Sequence, residues 1–92
     1  MREVLIRGID FGSMEEVHEF LQEELEFPSY YGKNLDALYD VMTELNEDIE
    51  ITLDLTGMED DELRDRMLRM AEVLEDAALV STGLEVTVEE EL

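Results

Sequence analysis

The sequence predicts an α/β fold in which three parallel strands pack against about four helices, as a single pair of layers. Three short apolar stretches, at residues 4–6, 49–55 and 84–88, have the length of strands. Apolar residues at helical spacing separate each stretch from the next. Strands that alternate with helices favour parallel pairing through right-handed crossovers.

The first strand and the first helix form the N-terminal part of the chain. Val4-Leu5-Ile6 is an apolar run that ends before Gly8, which is typical of a buried strand. Ser13 can cap the next helix, and Glu16 completes a capping box. The predicted buried stripe of this helix is Met14, Val17, Phe20, Leu21 and Leu25.

A loop and a second helix follow. Pro28 prevents the first helix from continuing, and the loop at residues 26–32 contains Tyr30 and Tyr31. Asn34 is a good N-cap for the second helix. The inward stripe of that helix is predicted to be Leu35, Leu38, Met42 and Leu45.

The last part of the chain reads as strand, helix and strand. Residues 56–59 have the spacing of a turn with a capping box, and a long helix follows that could break near Asp60. Ser81-Thr82-Gly83 ends this helix. The stretch at 89–92 is expected to be a frayed acidic tail, and residues 1–92 are expected to form one domain. The predicted buried stripe of the long helix is Leu63, Met67, Met70, Leu74 and either Ala77 or Ala78.

The charge limits the class of ligand. Twenty-seven acids against six Lys and Arg give a formal net charge of -21. Nucleic acid and anionic membranes both attract basic proteins, so we expect neither as a ligand. A basic protein partner fits this charge, although acidity can also serve solubility or adaptation to salt. The chain has no cysteine, and its N-terminus lacks a signal-peptide pattern, so we expect a cytoplasmic location.

Two groups were considered for chemistry. Asp36 and Asp40 are one turn apart and share the outward helix face with Thr43, but nothing in the sequence would separate their pKa values for acid–base catalysis. His18 lies off the apolar stripe and is expected at the surface without a catalytic role. No metal-ligand spacing and no phosphate loop occurs in the sequence, so we expect neither a metal nor a cofactor.

The tyrosines beside these acids distinguish the segment from a plain acidic surface. Tyrosine offers a large, stiff contact area with a polar tip. We expect Tyr30 to face a partner and Tyr31 to fill the gap between the loop and the core. Gly32 would let the loop turn, or let a partner approach closely.

The segment from Pro28 to Asp40 reads Pro-Ser-Tyr-Tyr-Gly-Lys-Asn-Leu-Asp-Ala-Leu-Tyr-Asp. This order resembles the barstar family, with similarity from the first strand to about Thr43. The resemblance implies a barstar-like fold and a role as inhibitor of an extracellular ribonuclease of the barnase type, within the producing cell. It also implies that an acidic helix and the loop before it plug the substrate cleft, with carboxylates in place of RNA phosphates.

The resemblance assigns roles to individual residues. Asp40 would enter the phosphate site, and Asp36 would pair with a cation at the rim. Tyr30 would pack against the catalytic histidine of the enzyme. The remaining contacts would come from Gly32, Asn34, Leu35, Tyr39 and Thr43.

Three positions depart from the family pattern. Lys33 replaces an acid, and Leu45 stands where the family has an interfacial tryptophan. The late-helix acid that contacts the nuclease matches Asp76 or Glu75, whereas an ungapped alignment places Ala78 there. We therefore expect a 1:1 complex of a monomer with a basic ribonuclease or a toxin nuclease. The alternative is an acidic immunity module that binds a different basic protein.

Overall fold

The computed structural model describes residues 1–91 and confirms the predicted α/β fold. Three parallel strands form one sheet in the order β1-β2-β3. Where about four helices were predicted, the described residues form three α-helices and one short 3-10 turn. None of these helices is both long and apolar enough to cross a bilayer. The elements are β1 (Arg2–Arg7), the 3-10 turn (Gly8–Asp10), α1 (Met14–Glu24), α2 (Leu35–Glu44), β2 (Ile49–Asp54), α3 (Asp61–Val80) and β3 (Leu84–Glu89).

The core lies between one face of the sheet and the helices. Strand residues alternate between the two faces, so every second side chain of β1 and β2 points inward. Ile6, Ile51 and Leu53 have no exposed surface. On the helix side, the side chains of Leu38 and Leu74 are equally shielded. The two-layer arrangement leaves the outward face of α2 free, because its inward stripe alone is needed for packing.

The opposite side of the sheet is open to solvent. Because the strands are parallel and in register, their outward side chains form rows across the sheet. The first row places the carboxylates of Glu3, Glu50 and Glu85 side by side. Like charges directly opposite each other on a sheet are unfavourable. We call this surface the open sheet face; it consists of Glu3, Leu5, Arg7, Glu50, Thr52, Asp54, Glu85, Thr87 and Glu89.

The starts of α1 and α2 follow the predicted caps. The hydroxyl of Ser13 accepts a hydrogen bond from the backbone N–H of Glu16 at 3.3 Å. The side-chain oxygen of Asn34 accepts from the N–H of Ala37 at 2.8 Å. Each cap satisfies an N–H that the first helical turn leaves without a partner. The Asn34 cap fixes where α2 begins, and so where its acidic face starts.

The start of α3 differs from the prediction. The expected capping box at residues 56–59 is wrong, because Thr56 instead donates its N–H and its hydroxyl to Asp54 Oδ1, at 3.0 and 2.6 Å. Asp60 is the N-cap, and its Oδ1 accepts from the N–H of Leu63 at 3.0 Å. The helix then runs unbroken for 20 residues.

The expected frayed tail starts too early. Glu89 is the last residue of β3, and its carbonyl accepts a hydrogen bond from the N–H of Leu55 at 2.8 Å. Glu90 forms an ion pair with Arg64 at 2.9 Å. The backbone of the preceding strand thus continues the sheet further than the acidic composition indicates. Leu92 lies outside the described residues.

Candidate partner-binding site

The loop between α1 and α2 is anchored from below. The buried ring of Phe27 packs edge-on against Tyr31, with 4.9 Å between ring centroids. The hydroxyl of Tyr31 lies 2.6 Å from Nδ1 of His18 on α1. The side-chain amide of Gln22 donates to the carbonyl of Pro28 at 2.9 Å. These contacts fasten the loop to α1, and Tyr31 takes the inward position that the sequence predicts.

The prediction that His18 lies at the surface is wrong. Its side chain is only 4% exposed, because Tyr31 crosses over it from the loop. Burial lowers the pKa of His18, and the positive charge of Lys33 lowers it further. Burial also raises the pKa of Tyr31. Both partners are therefore neutral at pH 7, and their hydrogen bond links α1 to the loop without a buried charge.

Tyr30 points the other way. It is 78% exposed, although it neighbours the half-buried Tyr31. An exposed aromatic of this size on an anchored loop offers a partner apolar area at small entropic cost. Tyr30 therefore has the outward position that the sequence predicts.

The turn into α2 depends on Lys33 and not on a flexible glycine. Lys33 has φ 52°, in the left-handed region, whereas the glycines with positive φ are Gly57 and Gly83. A Cβ on Gly32 would lie 3.1 Å from Nδ2 of Asn34. The absence of a side chain at Gly32 thus lets the capping amide fold back on the loop.

The outward face of α2 presents the two predicted carboxylates. Asp36 and Asp40 are exposed, and neither forms an ion pair within residues 1–91. Thr43 is half-buried, and its hydroxyl donates to the carbonyl of Asp40 at 3.0 Å. Tyr39 and Leu35 pack partly against the core, so they edge the face instead of projecting from it.

A groove runs between the loop and this face. Its volume is about 190 Å³, and Asp40 stands on its helix side. Three of its residues, Ala37, Val41 and Glu44, were not singled out by the sequence. They lie beside Asp40 on α2, so helical spacing from Asp40 could have indicated them. We call this the Asp40 groove; it is lined by Pro28, Tyr30, Tyr31, Gly32, Ala37, Asp40, Val41 and Glu44.

Comparison with known proteins assigns the chain to a family. A family model described as "Barstar (barnase inhibitor)" matches residues 1–89.

The chain belongs to the barstar family. It is also 46% identical over 59 residues to a protein of Bacillus subtilis (strain 168) named "Putative ribonuclease inhibitor YrdF". That match covers 64% of this chain and 64% of the relative. The family consists of inhibitors, which agrees with the expectation that Asp36 and Asp40 do not form a catalytic pair.

The departures from the barstar pattern have clear structural places. Leu45, at the family's tryptophan position, packs partly against the core and adds no projecting aromatic. Lys33 reaches back to Glu19 of α1, with 3.4 Å between its Nζ and Oε2. The reversed charge at Lys33 is thereby held near the start of α2.

The late-helix candidates separate on α3. Ala78 packs against the core, whereas Glu75 and Asp76 are exposed. Asp76 follows Arg69 by two helical turns and shares its side of α3. Arg69 lines a groove with Leu35 at the start of α2, so this side of α3 is the one beside α2. The arrangement favours Asp76 over Glu75 as an addition to the α2 face.

Proposed function

We propose that this protein inhibits a cationic ribonuclease of the barnase type, or a toxin nuclease with a similar cleft, inside the cell that makes the nuclease. The Tyr30 loop and the outward face of α2 cover the active site in a 1:1 complex. Asp40 enters the phosphate position, Asp36 meets a cation at the rim, and Tyr30 packs on the catalytic histidine.

The observation that carries this proposal is the state of the two carboxylates. Asp36 and Asp40 stand exposed and without ion pairs in the described chain, beside an exposed tyrosine, in a member of the barstar family. Other acids of the same protein, such as Glu19 and Glu90, are already paired with its few cations. Asp36 and Asp40 can meet a cationic cleft without first breaking a contact of their own.

The form of the site also supports a plug. The Asp40 groove is shallow, so the residues around it project or line an open surface and do not enclose a small molecule. Aromatic and acidic groups that project from a supported loop and helix suit insertion into the cleft of another protein.

The alternative partner is a basic protein that is not a nuclease. Two observations favour keeping it: Leu45 supplies no exposed aromatic, and Lys33 brings a positive charge to the site. Both change the surface relative to the barstar pattern. The choice between the two partners depends on what the protein captures.

Capture followed by an activity assay tests the proposal. The purified domain is used to pull down proteins from the producing cells and their medium, and the captured protein is assayed for RNA cleavage. Barnase is titrated in parallel. We expect a nuclease whose activity falls to zero at one equivalent of the domain.

The matched control carries Asp36→Asn and Asp40→Asn, which keep the shape of both side chains and remove their charge. Its inhibition should be much weaker. Capture of a protein without nuclease activity, together with no effect on barnase, would replace the nuclease by the alternative partner. Equal inhibition by the control would leave the role of the carboxylates without support.

A further inference from the structure

A second groove borders the predicted site and has the opposite charge. Its volume is about 250 Å³, and it lies between the first turn of α2 and the middle of α3. We call it the arginine groove; it is lined by Met14, His18, Asn34, Leu35, Arg66 and Arg69.

Positive charge is concentrated at this corner of the molecule. Lys33, Arg66 and Arg69 are three of the six basic residues in a chain of net charge -21. Arg66 forms an exposed ion pair with Glu62 at 3.1 Å, and Lys33 pairs with Glu19. Arg69 forms neither an ion pair nor a side-chain hydrogen bond within residues 1–91, so its guanidinium is free to meet an external group.

The groove adjoins the partner-binding surface. Asn34 and Leu35 line it, and both are predicted to contact the partner. Asp36 follows them directly on the exposed face of α2. A protein that docks on Asp36 and Asp40 is therefore brought against Arg69 as well.

We propose that the arginine groove receives a carboxylate side chain of the nuclease, an Asp or Glu at the rim of its cationic cleft. This inference rests on the proposed function and adds a second, reversed charge contact to it. Guanidinium groups bind carboxylates through two parallel N–H donors, which gives the contact a direction as well as an attraction. The complex is then bipolar: acids of α2 meet the basic cleft, and Arg69 meets an acid beside it.

The bipolar arrangement selects partners. A nuclease with a basic residue opposite Arg69 would be repelled there, even if its cleft accepted Asp40. Such like-charge contacts reject wrong partners more strongly than the matching contact strengthens the right one. The arginine groove thus specifies which basic nucleases this protein inhibits.

The test compares two charge reversals with the same change in net charge. Arg69→Glu alters the groove, whereas Arg7→Glu alters the exposed arginine of the open sheet face. Added negative charge alone speeds association with a basic partner, so both variants should bind slightly faster if only long-range steering matters. We expect Arg69→Glu instead to weaken binding about tenfold, through faster dissociation. Arg7→Glu should bind within about twofold of the unchanged protein. Thermal unfolding of both variants checks that each is folded.

The probe is barnase, together with any nuclease recovered by capture, and stopped-flow and dissociation rates are the readout. Replacing acids near the nuclease cleft one at a time by their amides should identify one whose loss makes the Arg69→Glu variant bind as well as the unchanged protein. If the unchanged protein inhibits but Arg69→Glu behaves like Arg7→Glu, the groove inference fails and the proposed function stands. If the unchanged protein inhibits no nuclease, both fall together.

Discussion

The outward face of α2 and the open sheet face are both acidic and exposed, yet they differ in what surrounds the carboxylates. On α2, Asp36 and Asp40 stand next to Tyr30 on a loop that is fastened to the core. On the sheet, Glu50 is flanked by Glu3 and Glu85. The α2 face combines acids with apolar contact area, while the sheet face opposes acid to acid.

The comparison shows that negative charge by itself does not mark the site in this protein. With a net charge of -21, acids occur on every surface, and charge steers a basic partner towards the whole molecule. Specific binding needs groups that lose water together in a defined geometry. The supported Tyr30 loop and the Asp40 groove provide such a geometry, and the sheet face does not.

The largest expected difference between the faces is in affinity. Asp40→Ala should weaken nuclease binding by at least about 2 kcal/mol, because the cations that it meets would be left buried and unpaired. That scale is borrowed, since the barnase–barstar complex is among the systems from which it comes. Glu85→Ala removes one charge from the sheet face and should leave the dissociation constant within about twofold. Titration of nuclease activity measures both, and similar losses would show that the two faces are not distinguished.

The support beneath the loop should appear in stability. Tyr31→Phe removes the hydroxyl that meets Nδ1 of His18 and leaves a buried ring nitrogen without its partner. We expect the free energy of unfolding to fall by about 1–2 kcal/mol. Tyr39→Phe is the matched control, because no hydrogen bond of the Tyr39 hydroxyl is found within residues 1–91. Urea denaturation measures both, and an equal loss in the two variants would contradict a special role for the Tyr31 hydroxyl.

The same pair should make stability depend on pH. Burial lowers the pKa of His18 in the folded protein, so the unfolded chain takes up this proton first as the pH falls below about 6.5. Folded protein is therefore destabilised on acidification through this residue. His18→Gln removes the titration, and its stability should fall less than that of the unchanged protein between pH 7 and pH 5. His18 is the single histidine of the chain, so the difference reports on the loop support alone. A smaller loss in the unchanged protein would mean that its folded pKa is raised.

The smallest effect should come from the sheet face. Glu50→Lys places a positive charge between Glu3 and Glu85 and should stabilise the fold by a few tenths to about 1 kcal/mol. Nuclease inhibition should not change. Glu50→Gln, which only removes the repulsion, should give part of the gain in a denaturation experiment. A change of inhibition with Glu50→Lys would assign the sheet face to the interface.

Local patterns account for most of what the sequence predicts correctly. Strand alternation and helical spacing depend on neighbours within a few residues, and so do the caps at Ser13 and Asn34. The exposed positions of Asp36 and Asp40 follow from the same periodicity, because the apolar stripe of α2 must face inward. These features need no knowledge of tertiary packing.

The features that sequence reasoning missed all depend on distant contacts or on backbone geometry. His18 is covered by Tyr31, which is 13 residues away on a loop. Arg69 reaches the start of α2 only because α3 packs beside it. The left-handed φ belongs to Lys33, although Gly32 is the residue that composition favours for it. Each required the fold to be complete before it could be recognised.

The hydrogen bond between Tyr31 and His18 also bears on how much affinity the complex can reach. A protein whose binding form is only a fraction of its population loses apparent affinity in proportion to that fraction. In this protein the loop is already held in place before any partner arrives, by Phe27 from within and by His18 from α1. Nearly every molecule is then competent at the moment of encounter, and none of the binding free energy is spent on ordering the segment that carries Tyr30.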